Sequence, residues 1–505
     1  MPLLVLSSEE AIRRAGIPAA QWPGTPEAQA LRLSPVARPQ FTPSFRIDRS
    51  EPIFTIGSCF ARNIEKQLLI EGYNVAMARF SPPPEPDAKA DPDALLHRYL
   101  VHAIGNELRW ALDPDAAFPE ASYVELEPGG WFDLNLHQMA APSPIELVRD
   151  RRKAITDYMR LAAEARLVVI TLGLAEAWFD QETGLYVNAV PPKHARHLFP
   201  TRFQFHLLDY QEVLEELERV LALLTARGHP DLKILITVSP VAMNTTFTGG
   251  EVLVANTYMK SAQRAAVEAF VRRHDNVDYF PSYESVTLSD RRRAWREDGA
   301  HVSDELVRLN VLRMLEAYGE TGAAPERADR SSLAFAHVQA ARTAAEKGQA
   351  KAAMAAYRAA ILDGPREALI LLEFSRFLFG LRRFGEAAKM AEASVRHGSG
   401  GYGGHWQHAQ ALYSARRYRE ADVAAAAARA AQPSHPGVVN VSGKIAGKLG
   451  RLDEALAFAI RYQELVPDTQ ASKRRRESLA RKIEQRRKGG MLNRLLSWAP
   501  GKSRA

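Results

Sequence analysis

A chain of 505 residues, 46% apolar and 25% charged, holds enough material for two to four domains and lacks the composition of a disordered or fibrous chain. No stretch approaches 18 apolar residues, which argues against a membrane-spanning helix, and the single cysteine, Cys59, excludes an intrachain disulfide. The net charge of +7 belongs to one end: from Lys473 to Ala505, twelve Lys/Arg against two Asp/Glu give +10, leaving −3 on the rest.

The first ten residues carry a brief apolar run met at once by acid, with no basic lead, unlike a secretory signal. With one cysteine this points to a reducing compartment, the cytoplasm. Residues 1–45 are Pro-rich without clear periodicity and are expected to form an N-terminal arm on the next domain. From 46 to 320 apolar strands alternate with amphipathic helices. The strands are predicted at 52–57, 73–77, 166–172, 232–239 and 277–280. The helices are predicted at 60–71, 94–111, 145–164, 210–227, 256–274 and 304–317. That alternation implies right-handed crossovers and a three-layer α/β domain with a mostly parallel sheet. The run from Leu167 to Leu172 is continuously apolar apart from Thr171, as a strand covered on both faces should be. Residues 81–93 and 179–203 read as surface loops, and 321–333 as a linker.

Beyond the linker the pattern is helical and repeats. Gly348, Arg382, Arg416 and Gly450 stand 34 residues apart. Five residues after each comes Ala353, Ala387, Ala421 and Ala455, and twelve after each comes Ala360, Ser394, Ala428 and Tyr462. Seventeen after each comes Pro365, Ser399, Pro433 and Pro467, with Ser399 between two glycines. Small residues at this period suit helix pairs that cross closely. The segment 334–469 resembles four tetratricopeptide repeats, an all-α solenoid whose concave face binds a protein partner or packs on a neighbouring domain. The first helices have few Trp and Tyr, so the specificity of such a groove stays open. The tail, 470–505, is basic with a short Leu/Trp segment. A solvated tail and weak contact with an anionic membrane surface both fit it. Nucleic acid is not expected, because aromatic interleaving and any binding module are missing.

Chemistry concentrates at two places. Gly57-Ser58 closes the first strand and opens a helix, which sets a hydroxyl at a strand's carboxyl end beside free helix N–H groups. Asp298-Gly299-Ala300-His301 has the spacing of a base and its orienting acid. Ser58 is the candidate nucleophile, His301 the base and Asp298 its partner; the bland reading is a turn before a helix capped by Ser303. Cys59 follows the serine at a helix N-terminus, where a thiol pKa falls, but only one of the two neighbouring side chains can face a cleft. Glu176 and Trp178 lie at the cleft rim, for substrate contact or for loop packing. Ser239 and Tyr283-Glu284 either line the cleft or cap helices. His194 and His197 lack a third ligand at sensible spacing, so no metal is expected. No phosphate loop or dinucleotide fingerprint occurs, so no cofactor is expected.

The phrase from Phe54 to Ala61, with Thr171 to Trp178, Thr237 to Val241, Ala255 to Tyr258 and Tyr279 to Glu284, resembles the GSCFA family, a branch of the SGNH/GDSL-like hydrolases, over about 50–310. The resemblance implies a flavodoxin-like three-layer fold. It also implies a serine esterase or acyltransferase with Ser58, Asp298 and His301 as the catalytic triad. Such relatives often act on O-acetyl groups of carbohydrates, so an acylated small molecule or glycan is the substrate implied. The third block of the pattern normally offers an oxyanion-binding asparagine, and Gly173-Leu174-Ala175-Glu176 has none. Backbone N–H groups of Ser58, Cys59 or Gly173, or the Asn256 side chain, are the candidates to replace it; Gly105-Asn106, read as a loop, is weaker. The missing asparagine leaves a second reading, a catalytically weak scaffold whose repeats recruit a protein.

Overall fold

The computed structural model describes residues 2–83, 92–136, 141–319, 326–398, 402–433, 435–466, 477–478 and 480–481. The chain divides into two compact units, with the change at Ser332/Leu333.

The first unit is built on β1 (Ile53–Gly57), β2 (Tyr123–Glu127), β3 (Gly130–Asp133), β4 (Leu167–Leu172), β5 (Glu176–Asp180), β6 (Leu185–Val187), β7 (Phe203–Leu207), β8 (Lys233–Val238) and β9 (Val277–Tyr279). Its principal helices are α1 (Cys59–Ile70), α2 (Val101–Leu112), α3 (Ile145–Arg160), α4 (Tyr210–Arg227), α5 (Val252–Val271) and α6 (Asp304–Tyr318). The central sheet runs β1-β4-β8-β9, all parallel, and its register aligns Gly57 with Thr171 and Thr237.

Period-two alternation sorts its side chains into two cores. Phe54, Ile56, Val168, Ile170, Ile234 and Ile236 pack with residues of α2, α3, α4 and α5. Ile53, Leu167, Val169 and Leu235 pack with α1 and α6. Every residue of β1 and β4 is buried, as two covered faces require. The parallel strands and the helices on both faces give the expected three-layer architecture.

Three local expectations are corrected. Residues 73–77 are not a strand: Val75 bridges Ile53 alone, and the chain turns at once into a 3-10 helix, Ala76–Arg79. Residues 94–111 are not one helix: a 3-10 turn, Pro92–Leu96, comes first, and α2 begins at Val101. The stretch 179–203 is not a plain loop: it holds β6, the end of β5 and the first residue of β7, in an antiparallel sheet ordered β6-β5-β7, and a short helix, Lys193–Leu198. Trp178, Val187 and Phe203 pack there with Val124 and Phe132 of the β2–β3 hairpin, a small separate core that its glycines and prolines disguised. Residues 84–91 lie outside the described residues.

Within the expected arm, two helices form, Ser8–Ala15 and Pro26–Arg32. The chain then lies on the α/β unit, where the Ala37 N–H donates to Ser289 Oγ at 2.7 Å and Phe41 sits edge-on to Phe280.

The second unit is a run of helix pairs: α7 (Glu326–Glu346) with α8 (Ala350–Asp363), α9 (Ala368–Gly380) with α10 (Phe384–Arg396), α11 (Tyr402–Ser414) with α12 (Tyr418–Ala431), and α13 (Pro436–Lys448) with α14 (Leu452–Leu465). Helix α7 starts inside the expected linker. The four residues at the 34-residue period are the left-handed turns within the pairs: Gly348, Arg382, Arg416 and Gly450 have φ of 71, 61, 63 and 78°. The residue after each donates its N–H to the carbonyl five residues earlier (Gln349 to Ala344, Arg383 to Leu378, Arg417 to Leu412, Arg451 to Ala446), closing a Schellman motif. Ala353, Ala387, Ala421 and Ala455 are fully buried where the helices cross. This is the repeated helix-pair architecture of the tetratricopeptide class. No described helix is long and apolar enough to cross a membrane. Ser399, Pro467 and nearly all of 470–505 lie outside the described residues.

Candidate active site

Gly57 ends β1 with φ of +145°, and a Cβ there would lie 2.2 Å from Thr171 Oγ1 and 2.4 Å from the Thr171 carbonyl oxygen. Only glycine lets β1 pass β4 so closely and turn into α1. Ser58 is therefore delivered to the carboxyl edge of the sheet as the N-cap of α1. Its Oγ accepts the Phe60 N–H at 3.3 Å, and its own N–H donates to Thr171 Oγ1 at 3.2 Å. The side chain is 3% exposed.

Gly173, the first residue after β4, lies against the serine. A Cβ on it would stand 3.5 Å from Ser58 Cβ and 2.8 Å from the Tyr99 carbonyl oxygen. Among the described residues the Gly173 N–H has no hydrogen-bond acceptor. Cys59 is the first residue of α1, so its N–H has no intrahelical acceptor. Since Thr171 takes the Ser58 N–H, the N–H groups of Cys59 and Gly173 are the remaining candidates among those named from the sequence. Burial pushes the Cys59 thiol up, beyond what the Phe60 and Cys59 N–H groups and Lys260 pull it down. Desolvation thus overrides the helix terminus, and the thiol stays protonated near neutrality.

The Asp298–His301 turn is self-contained. Asp298 Oδ1 accepts the Ala300 and His301 N–H groups, both at 2.9 Å, and Oδ2 meets His301 Nδ1 at 2.7 Å. Those two N–H groups and the ring hold the carboxyl well below the usual carboxylate range. An ionised carboxylate at Nδ1 selects the tautomer with its proton there and leaves Nε2 as the basic nitrogen. The turn belongs to the same sheet edge as Ser58: the Ala242 N–H, just past β8, donates to the Ala300 carbonyl, and the Arg296 charge is felt at Cys59. Ser58 and His301 share no hydrogen bond.

Glu176 starts β5 and clasps the loop after β8, accepting the Thr246 hydroxyl and, at 2.9 Å, the Phe247 N–H. Trp178 meets Phe247 edge-on at 5.2 Å. Glu176, Trp178 and Phe247, with Tyr99, Leu174, Asn188 and Met243, line a cleft of about 330 Å³. Ser58 does not itself line it; Tyr99 and Leu174 flank Gly173 and so link the two. Asn256 Oδ1 accepts the Met243 N–H at 3.2 Å, so this side chain secures the cleft loop. Gly105 and Asn106 are in the body of α2, not in a loop, with the Asn106 amide on the Tyr186 carbonyl. Ser239 Oγ holds the Val241 N–H, and Glu284 accepts from Arg264 and Tyr279, so both serve local turns and packing. His194 and His197 lie on the short helix Lys193–Leu198, and no cluster of three metal-ligating side chains occurs among the described residues.

Sequence reasoning missed Lys260. It lies on α5, fully buried, with Nζ 2.7 Å from the Gly173 carbonyl oxygen. Desolvation pushes its pKa down to about 7. The signal was available, because Lys260 interrupts the stripe Met259, Gln263, Val267, Phe270 that α5 buries.

A three-layer α/β unit with a serine at the tip of its first strand, and an Asp-x-x-His turn at the same edge, is hydrolase-like. The GSCFA family profile matches residues 52–313, just over half of the chain, and the chain belongs to the GSCFA family. Among solved structures, the helical repeats are similar to YrrB, described as a TPR protein with an unusual peptide-binding site (18% identity, 30% of this chain and 79% of that one, TM-score 0.28). They are also similar to MamA from Desulfovibrio magneticus RS-1 (12% identity, 32% and 93%, TM-score 0.29) and to the first TPR domain of human RPAP3 (18% identity, 25% and 98%, TM-score 0.23). No curated protein matches the chain.

Proposed function

We propose that the α/β unit is a serine-dependent ester hydrolase or acyltransferase. The observation that carries this reading is the Asp298–His301 pair, pre-set at 2.7 Å on the sheet edge where Gly57 delivers Ser58. Ser58 Oγ attacks the acyl carbonyl carbon and its proton passes to His301 Nε2. The oxyanion is met by the N–H groups of Cys59 and Gly173. Collapse breaks the ester bond, and His301 returns the proton to the departing alcohol. Water or a second alcohol then takes the acyl group from Ser58 by the same steps reversed. The cleft suits an acylated small molecule or glycan, with Trp178 and Phe247 as aromatic platforms and Asn244 as a partner for hydroxyls, while the buried Asn188 amide is spent on the Tyr99 N–H and the His97 carbonyl.

Fluorophosphonate labelling tests this. Labelling that disappears in Ser58→Ala and persists in Cys59→Ala is the expected result; labelling lost only in Cys59→Ala moves the chemistry to the thiol. A second reading, a catalytically weak scaffold whose repeats recruit a protein partner, is favoured by the burial of Ser58 and its lack of a bond to His301. Complete absence of labelling in the native chain would decide for it.

A further inference from the structure

Lys260 is an unexplained charge. A lysine ammonium has three N–H donors and is seldom fully buried unless paired. Here no carboxylate among the described residues pairs with it, and its hydrogen bond goes to one main-chain carbonyl, that of Gly173. That peptide is fixed from both sides, because the next N–H, of Leu174, donates to the Tyr99 carbonyl at 2.7 Å. The residue so fixed is the one whose Cα faces Ser58 and whose N–H is unoccupied. Asn256, four residues earlier on the helix, holds the cleft loop, so α5 supports both walls of the site.

We propose that Lys260 is a positioning residue for the oxyanion site: through the Gly173 carbonyl it holds the Gly173 N–H beside Ser58, and it supplies positive charge where the chain lacks the expected asparagine. The inference rests on the esterase reading above. A buried cation without a counter-ion stabilises negative charge that develops nearby, and the low dielectric magnifies the effect. In the resting protein no carboxylate among the described residues offsets that charge, and the Gly173 carbonyl carries only a partial one; the tetrahedral intermediate supplies a full negative charge. The titratable group that bears on Lys260 is Cys59, from the start of α1, and burial pushes its thiol up.

The test is the second-order rate of phosphonylation of the full chain by an alkyl fluorophosphonate between pH 5 and 10, in the native protein, Ser58→Ala and Lys260→Met. The native rate is expected to decline above about pH 7 as Lys260 loses its proton. Lys260→Met is expected to label about tenfold more slowly at pH 6 and to lack that decline. A lysine that only supports the fold would change stability and leave the shape of the pH profile alone. Equal rates at pH 6, or the same decline in the variant, overturn the inference while leaving Ser58 as nucleophile. No labelling at Ser58 in the native protein overturns the esterase reading and this inference with it. Should Lys260→Met fail to fold by circular dichroism, the native profile decides: a rate still climbing from pH 7 to 9 overturns the proposal.

Discussion

Gly57 carries the heaviest constraint of any single residue near the candidate site. A methyl group there meets two Thr171 atoms at 2.2 and 2.4 Å, and φ of +145° is closed to other L-residues. Gly57→Ala must push β1 away from β4 and carry Ser58 with it. We expect a loss of about 3 kcal/mol or more in denaturant unfolding and near-complete loss of Ser58 labelling. Lys260 should show the opposite trade. Its folded pKa lies below its unfolded one, so the folded state resists protonation and the penalty is complete below about pH 7. As pH rises from 7 towards the unfolded value, the penalty is relieved. Lys260→Met should therefore be more stable than the native chain by about 1–4 kcal/mol at pH 5, with the gap narrowing above pH 7, while labelling slows. Urea unfolding at pH 5 and pH 9 checks the sign. The strand-end position of Ser58 and the three-residue Asp298–His301 turn were legible as local geometry, because each rests on short spacing in the chain. Lys260 showed in the sequence only as a charge on the buried stripe of α5, because its meaning comes from Gly173, 87 residues away.

At the scale of elements, the repeat unit shows a local cost left in place. The αL turn that closes each Schellman motif is glycine at 348 and 450 but arginine at 382 and 416. A left-handed non-glycine residue costs roughly 1–2 kcal/mol, partly offset by the lower entropy of its unfolded chain. Arg416→Gly, and separately Arg382→Gly, should each raise the stability of the repeats by up to about 1 kcal/mol, read as a higher melting temperature of helical circular dichroism. A fall would mean that the arginine side chain contributes more than the backbone strain removes. These turns were visible as a 34-residue period because every pair repeats the same backbone problem. The central strands were visible for a similar reason, since burial on both faces leaves an unbroken apolar run. Strands β5 to β7 were hidden because they are short, antiparallel and only half covered, and Gly184, Pro191, Pro192 and Pro200 between them read as loop. The segment 73–77 misled in the other direction: its apolar residues pack, but it meets β1 in the single bridge of Val75 with Ile53, where the Asn74 carbonyl accepts the Ile53 N–H.

For the whole molecule, each unit has a core of its own. Phe54, Leu108, Ile170 and Val267 belong to one buried cluster of the α/β unit, and Phe374, Ala387, Ala421 and Ile445 to one in the repeats. Apolar burial is the main source of cooperativity, so each cluster defines a unit that can open by itself. Leu108→Ala removes a fully buried side chain and should cost about 2–5 kcal/mol. Ala421→Leu forces extra volume into a helix crossing with no exposure and should cost about 1–3 kcal/mol. Scanning calorimetry of the full chain should then resolve two transitions. The leucine deletion should lower one and the alanine enlargement the other, and only the first should carry Ser58 labelling with it when followed against temperature. If either substitution moves both transitions together, folding of the hydrolase-like unit and of the repeats is coupled, and binding at the repeats would then shift the stability of the unit that carries Ser58.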